Sequence, residues 1–303
     1  SIKNCLFEAA WTEIADSSNG SLTHNTWQSK DSPFQFAVIE SLRNSTLVFR
    51  SNAVIGSYQQ IYATNSSILE NQLTMPAGVE YASSVLSSMF GNGNGIWGNT
   101  VVGHWDRAMG VRNGADGGLL LQDEAGSSVE RNTISDVSNC AISLVGALTS
   151  ARIGSNSIFN ARLCGIGGWA WLSLSGVSVS NNAVEGSERL FSFYRMYGLR
   201  PAGFDQDKRM PADKLAQFAN NVFEGNRLAA PSISSGGRSW MPLDASMGYS
   251  TSVSGLVGEH GIASDQFDVR NNVFKNNDFG AGQIGPYFGL SPLPGAAVDE
   301  GGN

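Results

Sequence analysis

Asparagine recurs along this chain in one local frame, and that frame restricts the fold more than any other feature. Take Asn4, Asn25, Asn52, Asn71, Asn99, Asn132, Asn156, Asn182, Asn221 and Asn272 as anchors. Two residues after each stands an apolar residue, from Leu6 and Trp27 to Phe223 and Phe274. Three residues before each anchor from the second on stands another, from Leu22 and Phe49 to Phe218 and Val269. The intervals between anchors are 21, 27, 19, 28, 33, 24, 26, 39 and 51 residues. A helical repeat would hold its period nearly constant. A floor near 20 with upward excursions describes a coil of short strands with additions at its corners. One such coil cannot bury its apolar residues alone, whereas stacked coils share a continuous core. Parallel strands in the stack lie about 4.8 Å apart. The anchors then sit above one another, where each side-chain amide can bond the next coil and satisfy backbone groups freed by the bend.

The expected fold is all-β: a single right-handed parallel β-helix over residues 1–303, of about ten coils and roughly 45 Å long at one strand spacing per coil. In it Leu6, Val101, Ile158 and Phe274 should line one column. The first anchor stands at the very start, so the segment is expected to be a piece of a longer chain, or to have its ends covered by another protein. Lys plus Arg number 19 and the net charge is −7, which disfavours nucleic acid and anionic membrane as partners, since both select basic patches. No apolar run is long enough to span a membrane. The partners that remain are a glycan or other extracellular protein subunits.

Three cysteines occur. Cys140 and Cys164 each lie eight residues after their anchors, Asn132 and Asn156. They therefore share a place on adjacent coils, either as a disulfide closing a loop worth roughly 3 kcal/mol or as two stacked buried thiols. Cys5 is left over. Neither a Cys/His cluster nor any other metal or cofactor motif is present. Asn-x-Ser/Thr triplets make Asn19, Asn44 and Asn65 candidate glycosylation sites, at about the frequency chance supplies.

Three long intervals are read as insertions, 112–126, 193–215 and 232–265, leaving from one corner and collecting along one edge. Long loops on a rigid repeat often carry function. The first holds Asp116, Asp123 and Glu124. In the others Tyr194, Arg195, Tyr197, Arg200, Arg238 and Trp240 combine aromatic faces with planar donors suited to sugar rings or carboxylates. Asp205, Asp207, Asp244 and Glu259 are the carboxylates that could act as acid and base if the chain is an enzyme. His104, Trp105, Asp106 and Arg107 form a second dense group; strand alternation places His104 and Asp106 on one face and the other two on the opposite face. His24 and His260 stand alone.

In this pattern the chain resembles the right-handed β-helices of the pectate-lyase type, whose well-known members cut or bind polysaccharides. It lacks their local signatures: the paired Asp with Gly-His-Gly, the Arg-x-Pro-x-x-Arg and the Asp-Pro-His-Asp. The stretches 99–144 and 218–233 also resemble the β-helix repeats of fibrocystin-like and G8-domain extracellular proteins, in an Asn-x-Val, Arg-Ala, Gly-Leu cadence and a Phe-x-Asn-Asn motif. Where members of that family carry His after the Asn-Asn motif, this chain has Glu224, so no catalytic residue carries over. The resemblances imply an extracellular or cell-surface setting. Two functions follow as expectations: a non-catalytic structural or adhesive module of a larger surface or filament protein, or a secreted polysaccharide hydrolase or lyase working at the insertion edge.

Overall fold

The computed structural model describes the chain except residues 9–11, 16–17, 29–38, 57–58, 78–79, 107, 109–113, 171–172, 188, 197–215, 230–242, 245–266, 279–296 and 300–303. It is a parallel β-helix. Successive strands within a coil do not pair with each other; each pairs with its equivalents on the coils above and below. The result is parallel sheets of 11, 9 and 9 strands, plus a shorter fourth of 4. A representative coil runs Ser128–Glu130 in the first sheet, Thr133–Val137 in the second, Cys140–Val145 in the third and Ala147–Thr149 in the fourth.

The three-residue strands of the first two sheets each point one apolar side chain inward and two outward. Phe49, Ile68, Ile96, Val129, Ile153 and Val179 stack as one buried column, and Trp27, Val54, Leu73, Val101, Ile134 and Ile158 as the next. Within the third sheet Leu86, Leu119, Ile142, Ile166 and Phe191 pair in register and are fully buried. Each such side chain contributes roughly 1.5–3 kcal/mol relative to exposure. The largest, Trp27, lies against Phe7 on one side and Phe49 on the other, at ring-centroid distances of 4.8 and 5.9 Å.

Between the first and second sheets the chain turns on two residues. The first takes positive φ, as in Glu70 (53°), Arg131 (55°) and Ser155 (53°). The second is the ladder asparagine. In Asn132 the side-chain oxygen accepts from the backbone N–H and Nδ2 of Asn99, while its own Nδ2 donates to Asn156 Oδ1 and to the Ile96 carbonyl, all at 2.9–3.0 Å. Every hydrogen-bonding site of the amide is thereby used, across three coils. The same pattern runs through Asn25, Asn52, Asn71, Asn99, Asn132, Asn156 and Asn182, then Asn226 and Asn277.

The ladder corrects the anchors at both ends. Asn4 holds the positive-φ place (57°), so Cys5 occupies the ladder position and its N–H donates to Asn25 Oδ1 at 3.0 Å. Leu6 therefore points outward, 61 % exposed, and Phe7 pairs with Trp27. Asn221 and Asn272 belong to a different corner, between the fourth sheet and the first. There Val177 N–H donates to Asn221 Oδ1 at 2.9 Å, and Phe274 pairs with Phe223 in the first sheet. Leu6, Val101, Ile158 and Phe274 thus do not line one column. Both corners use the same backbone device, a positive-φ residue and then a residue that bonds the neighbouring coil, and the sequence frame fits either. In Phe218-x-x-Asn221-x-Phe223-x-x-Asn226-x-Leu228 two frames run in tandem and share Phe223.

The first of the expected insertions is corrected too. Residues 114–122 form a third-sheet strand, Gly114–Gln122, rather than an insertion. Of the insertions expected at 193–215 and 232–265, residues 197–215, 232–242 and 245–265 lie outside the described residues.

Candidate functional site

The corner where the second sheet hands over to the third is where the described residues concentrate chemistry. Asp136 and Asn160 take equivalent places on adjacent coils, both with positive φ (57° and 52°). Asn160 Nδ2 donates to Asp136 Oδ1 at 2.8 Å. Two residues further on lie Ser138 and Arg162. Arg162 Nε donates to the Ser138 carbonyl at 2.8 Å, and Ser138 Oγ donates to Asp116 Oδ1 at 2.9 Å. Asn139 N–H donates to the Asp116 carbonyl at 2.8 Å, holding the preceding coil alongside. Asp116, Asp136, Asn160 and Arg162 are all partly exposed.

The floor of this corner is Trp105, only 4 % exposed, whose N–H donates to the Asp136 carbonyl at 2.7 Å. Two glycines allow that approach. A Cβ on Gly103 would lie 2.5 Å from the Asp136 carbonyl oxygen, and one on Gly114 (φ 72°) would run into the Trp105 backbone. His104, exposed and at positive φ (55°), and Asp106, also exposed, flank the indole. Asp106 Oδ1 accepts from Ala108 N–H at 2.8 Å. His104 and Asp106 face outward while Trp105 faces in, although no strand spans them.

Cys140 and Cys164 pair in register two residues beyond Ser138 and Arg162. They are joined by a disulfide with Cα atoms 4.5 Å apart. The bond ties together the two coils that present Asp136 and Asn160, which restrains the spacing of their side chains. Cys5 is free and exposed.

Asp123 and Glu124, which the sequence places with Asp116 on a working surface, are buried instead. Glu124 accepts from Ser88 Oγ at 2.7 Å and Ser127 Oγ at 2.6 Å, and Asp123 Oδ1 from Ala147 N–H at 2.8 Å. Both belong to the packing between the third and fourth sheets. Tyr194 and Arg195 lie in the third-sheet strand Arg189–Met196, and Asp244 in the neighbouring strand Leu243–Asp244, where it pairs with Ser192. Tyr197, Arg200, Asp205, Asp207, Arg238, Trp240, Glu259 and His260 lie outside the described residues, as does Arg107. His24 is exposed at a first-to-second-sheet turn. Asn19 and Asn65 are exposed positive-φ residues at the corner entering the first sheet, and Asn44 lies in the strand Ile39–Ser45.

Asp136, Ser138, Asn160 and Arg162 carry no recognisable motif. Their signal was an offset: Asp136 and Asn160 stand four residues after their anchors, Ser138 and Arg162 six. Among the described residues no three His, Cys, Asp or Glu side chains gather as a metal site.

Two carboxylates, a guanidinium and an imidazole along one accessible corner are the groups needed to donate and accept protons around a polar substrate. No protein-family profile and no curated protein sequence matches the chain. Among solved structures it is similar to a candidate glycosyl hydrolase from Parabacteroides merdae, at 11 % identity and a TM-score of 0.33, over 78 % of this chain and 82 % of that one. It is also similar to the catalytic unit of a thermostable GH87 α-1,3-glucanase from Streptomyces thermodiastaticus, at 11 % identity and a TM-score of 0.37. That likeness covers 90 % of this chain and 48 % of the glucanase unit. At such scores neither likeness bears on substrate or on the role of any residue.

Proposed function

We propose that the chain is an extracellular, polysaccharide-directed β-helix protein that cleaves glycosidic bonds at the corner between the second and third sheets. The observation that carries this reading is the gathering of Asp116 and Asp136 at one partly exposed corner, bridged through Ser138, Asn160 and Arg162. One carboxyl group protonates the glycosidic oxygen as it leaves. The other activates water or attacks the sugar carbon. Arg162 and His104 offer donors to the sugar hydroxyls. The disulfide supports an oxidising, extracytoplasmic setting.

The test is release of reducing ends from a panel of neutral and acidic polysaccharides by the purified protein. Asp116→Asn and Asp136→Asn should each lower the rate by roughly 100-fold or more with the melting temperature nearly unchanged. A folded protein that releases nothing from any polysaccharide, or variants as active as the parent, would overturn it.

One observation favours a second reading, a non-catalytic adhesive or structural module: each carboxylate already accepts a bond that ties neighbouring coils together. On that reading the same two substitutions lower stability and leave glycan binding unchanged.

A further inference from the structure

The two outward columns of the second sheet are uncharged over six coils. From Thr26 to Phe159 neither column bears a charge; Glu8 pairs with Gln28 at one end, Glu185 pairs with Phe159 at the other, and Asp136 stands at the corner edge of the sheet. The first sheet presents Arg50, Glu130 and Arg152 over the same coils, so lack of charge is a property of this face and not of the helix as a whole. Of the two outward columns, one consists of Thr, Ala, Gln and Ser. The other runs Gln28, Ile55, Thr74, Val102, Ser135 and Phe159. Ile55 and Phe159 are 45 % and 42 % exposed.

Size and charge decide what such a face can hold. Five strand spacings by one two-residue step give a strip of roughly 24 by 7 Å, about 170 Å². A stable protein interface takes about 800 Å² per partner, which argues against a second copy of this chain. A strip without charge gives a polyanion or a basic protein nothing to pair with. A long, narrow, neutral strip of hydroxyl, amide and methyl groups matches one neutral polymer chain lying along the helix axis. Its aromatic end has a further meaning. Phe159 directly precedes Asn160, whose Nδ2 holds Asp136. A sugar stacked on that ring is delivered to the edge of the acidic corner, and an aromatic face suits the apolar side of a pyranose.

We infer that the second sheet's outer face is a binding strip for a single neutral glycan chain, with Phe159 as its stacking platform beside Asp136. This rests on the reading that the ligand is a polysaccharide and narrows it to uncharged ones. The experiment is affinity electrophoresis of the whole protein in soluble starch, dextran, a β-1,3-glucan and polygalacturonate. At least one neutral glucan should retard the protein, with a dissociation constant insensitive to salt. Phe159→Ala should weaken that binding roughly threefold to tenfold, and Thr133→Arg, in the middle of the strip, should weaken it as well. Trp97→Ala, which removes a partly exposed aromatic group from the first sheet, should leave it unchanged. Retention limited to polygalacturonate, or binding lost in Trp97→Ala and kept in Phe159→Ala and Thr133→Arg, would overturn the inference. Should a glucan be cut with Asp136→Asn inactive while Phe159→Ala binds like the parent, the strip fails and the proposed activity stands. Should no glycan of either kind bind, both fail.

Discussion

At the scale of single residues, the asparagine ladder shows why one polar side chain can be repeated through an apolar interior. A buried amide is costly unless each of its hydrogen-bonding sites is met, and the stacking meets all of them. Asn132→Ala should therefore cost more than the loss of one bond. It leaves the Asn99 N–H and Nδ2, the Ile96 carbonyl and Asn156 Oδ1 short of a partner. We expect a loss of about 3 kcal/mol or more, read from the chemical-denaturation midpoint. Asn132→Asp should be no rescue, because a carboxylate has no hydrogens to donate. The sequence showed the ladder because its demand is chemical: only Asn or Gln offers donor and acceptor on one short group. It concealed the end registers because a positive-φ residue followed by Asn serves two different corners. Asn226 and Asn277 satisfied the frame as fully as Asn221 and Asn272 did.

At the scale of elements, three-residue strands owe their stability to the neighbouring coils, so a covalent link between coils has a measurable effect. The Cys140–Cys164 bond spans 24 residues. Cys140→Ser combined with Cys164→Ser should lower stability by about 3 kcal/mol on the chain-entropy account, and a reductant should lower the melting temperature of the parent and not of the double variant. Gly114→Ala should be costlier than its size suggests, because φ is 72° and the added methyl meets the Trp105 backbone rather than a movable side chain. That change should perturb Trp105 fluorescence together with stability. The cysteine register could be read from a common offset of eight residues, since parallel in-register stacking turns equal offsets into contact. The acidic corner had the same kind of signal in the offsets of four and six, but Asp, Ser, Asn and Arg are ordinary turn and surface residues. Nothing in their identity marks them until Asp116 arrives from the preceding coil.

At the scale of the whole molecule, stability is a sum over coils and the contacts between neighbours. The middle coils have neighbours on both sides, and their backbone bonds, such as Thr133 N–H to the Asn99 carbonyl and Ser157 N–H to the Asn132 carbonyl, should exchange hydrogen slowest. His24 N–H, bonded to the Arg50 carbonyl at an exposed turn, should exchange faster. Equal protection along the whole ladder would argue for all-or-none opening instead. What the sequence by itself determined is the architecture: an apolar, Asn, apolar frame at irregular intervals above a floor of about 20 residues is satisfied by stacked short parallel strands, and side-chain chemistry alone imposes it. What only the tertiary structure decided is which corner each Asn serves, that Asp123 and Glu124 are buried while Asp116 is not, and that Asp116 and Asp136 share one exposed corner. Those outcomes depend on the vertical alignment of coils of unequal length, which pairing between strands establishes and which no local window of sequence contains.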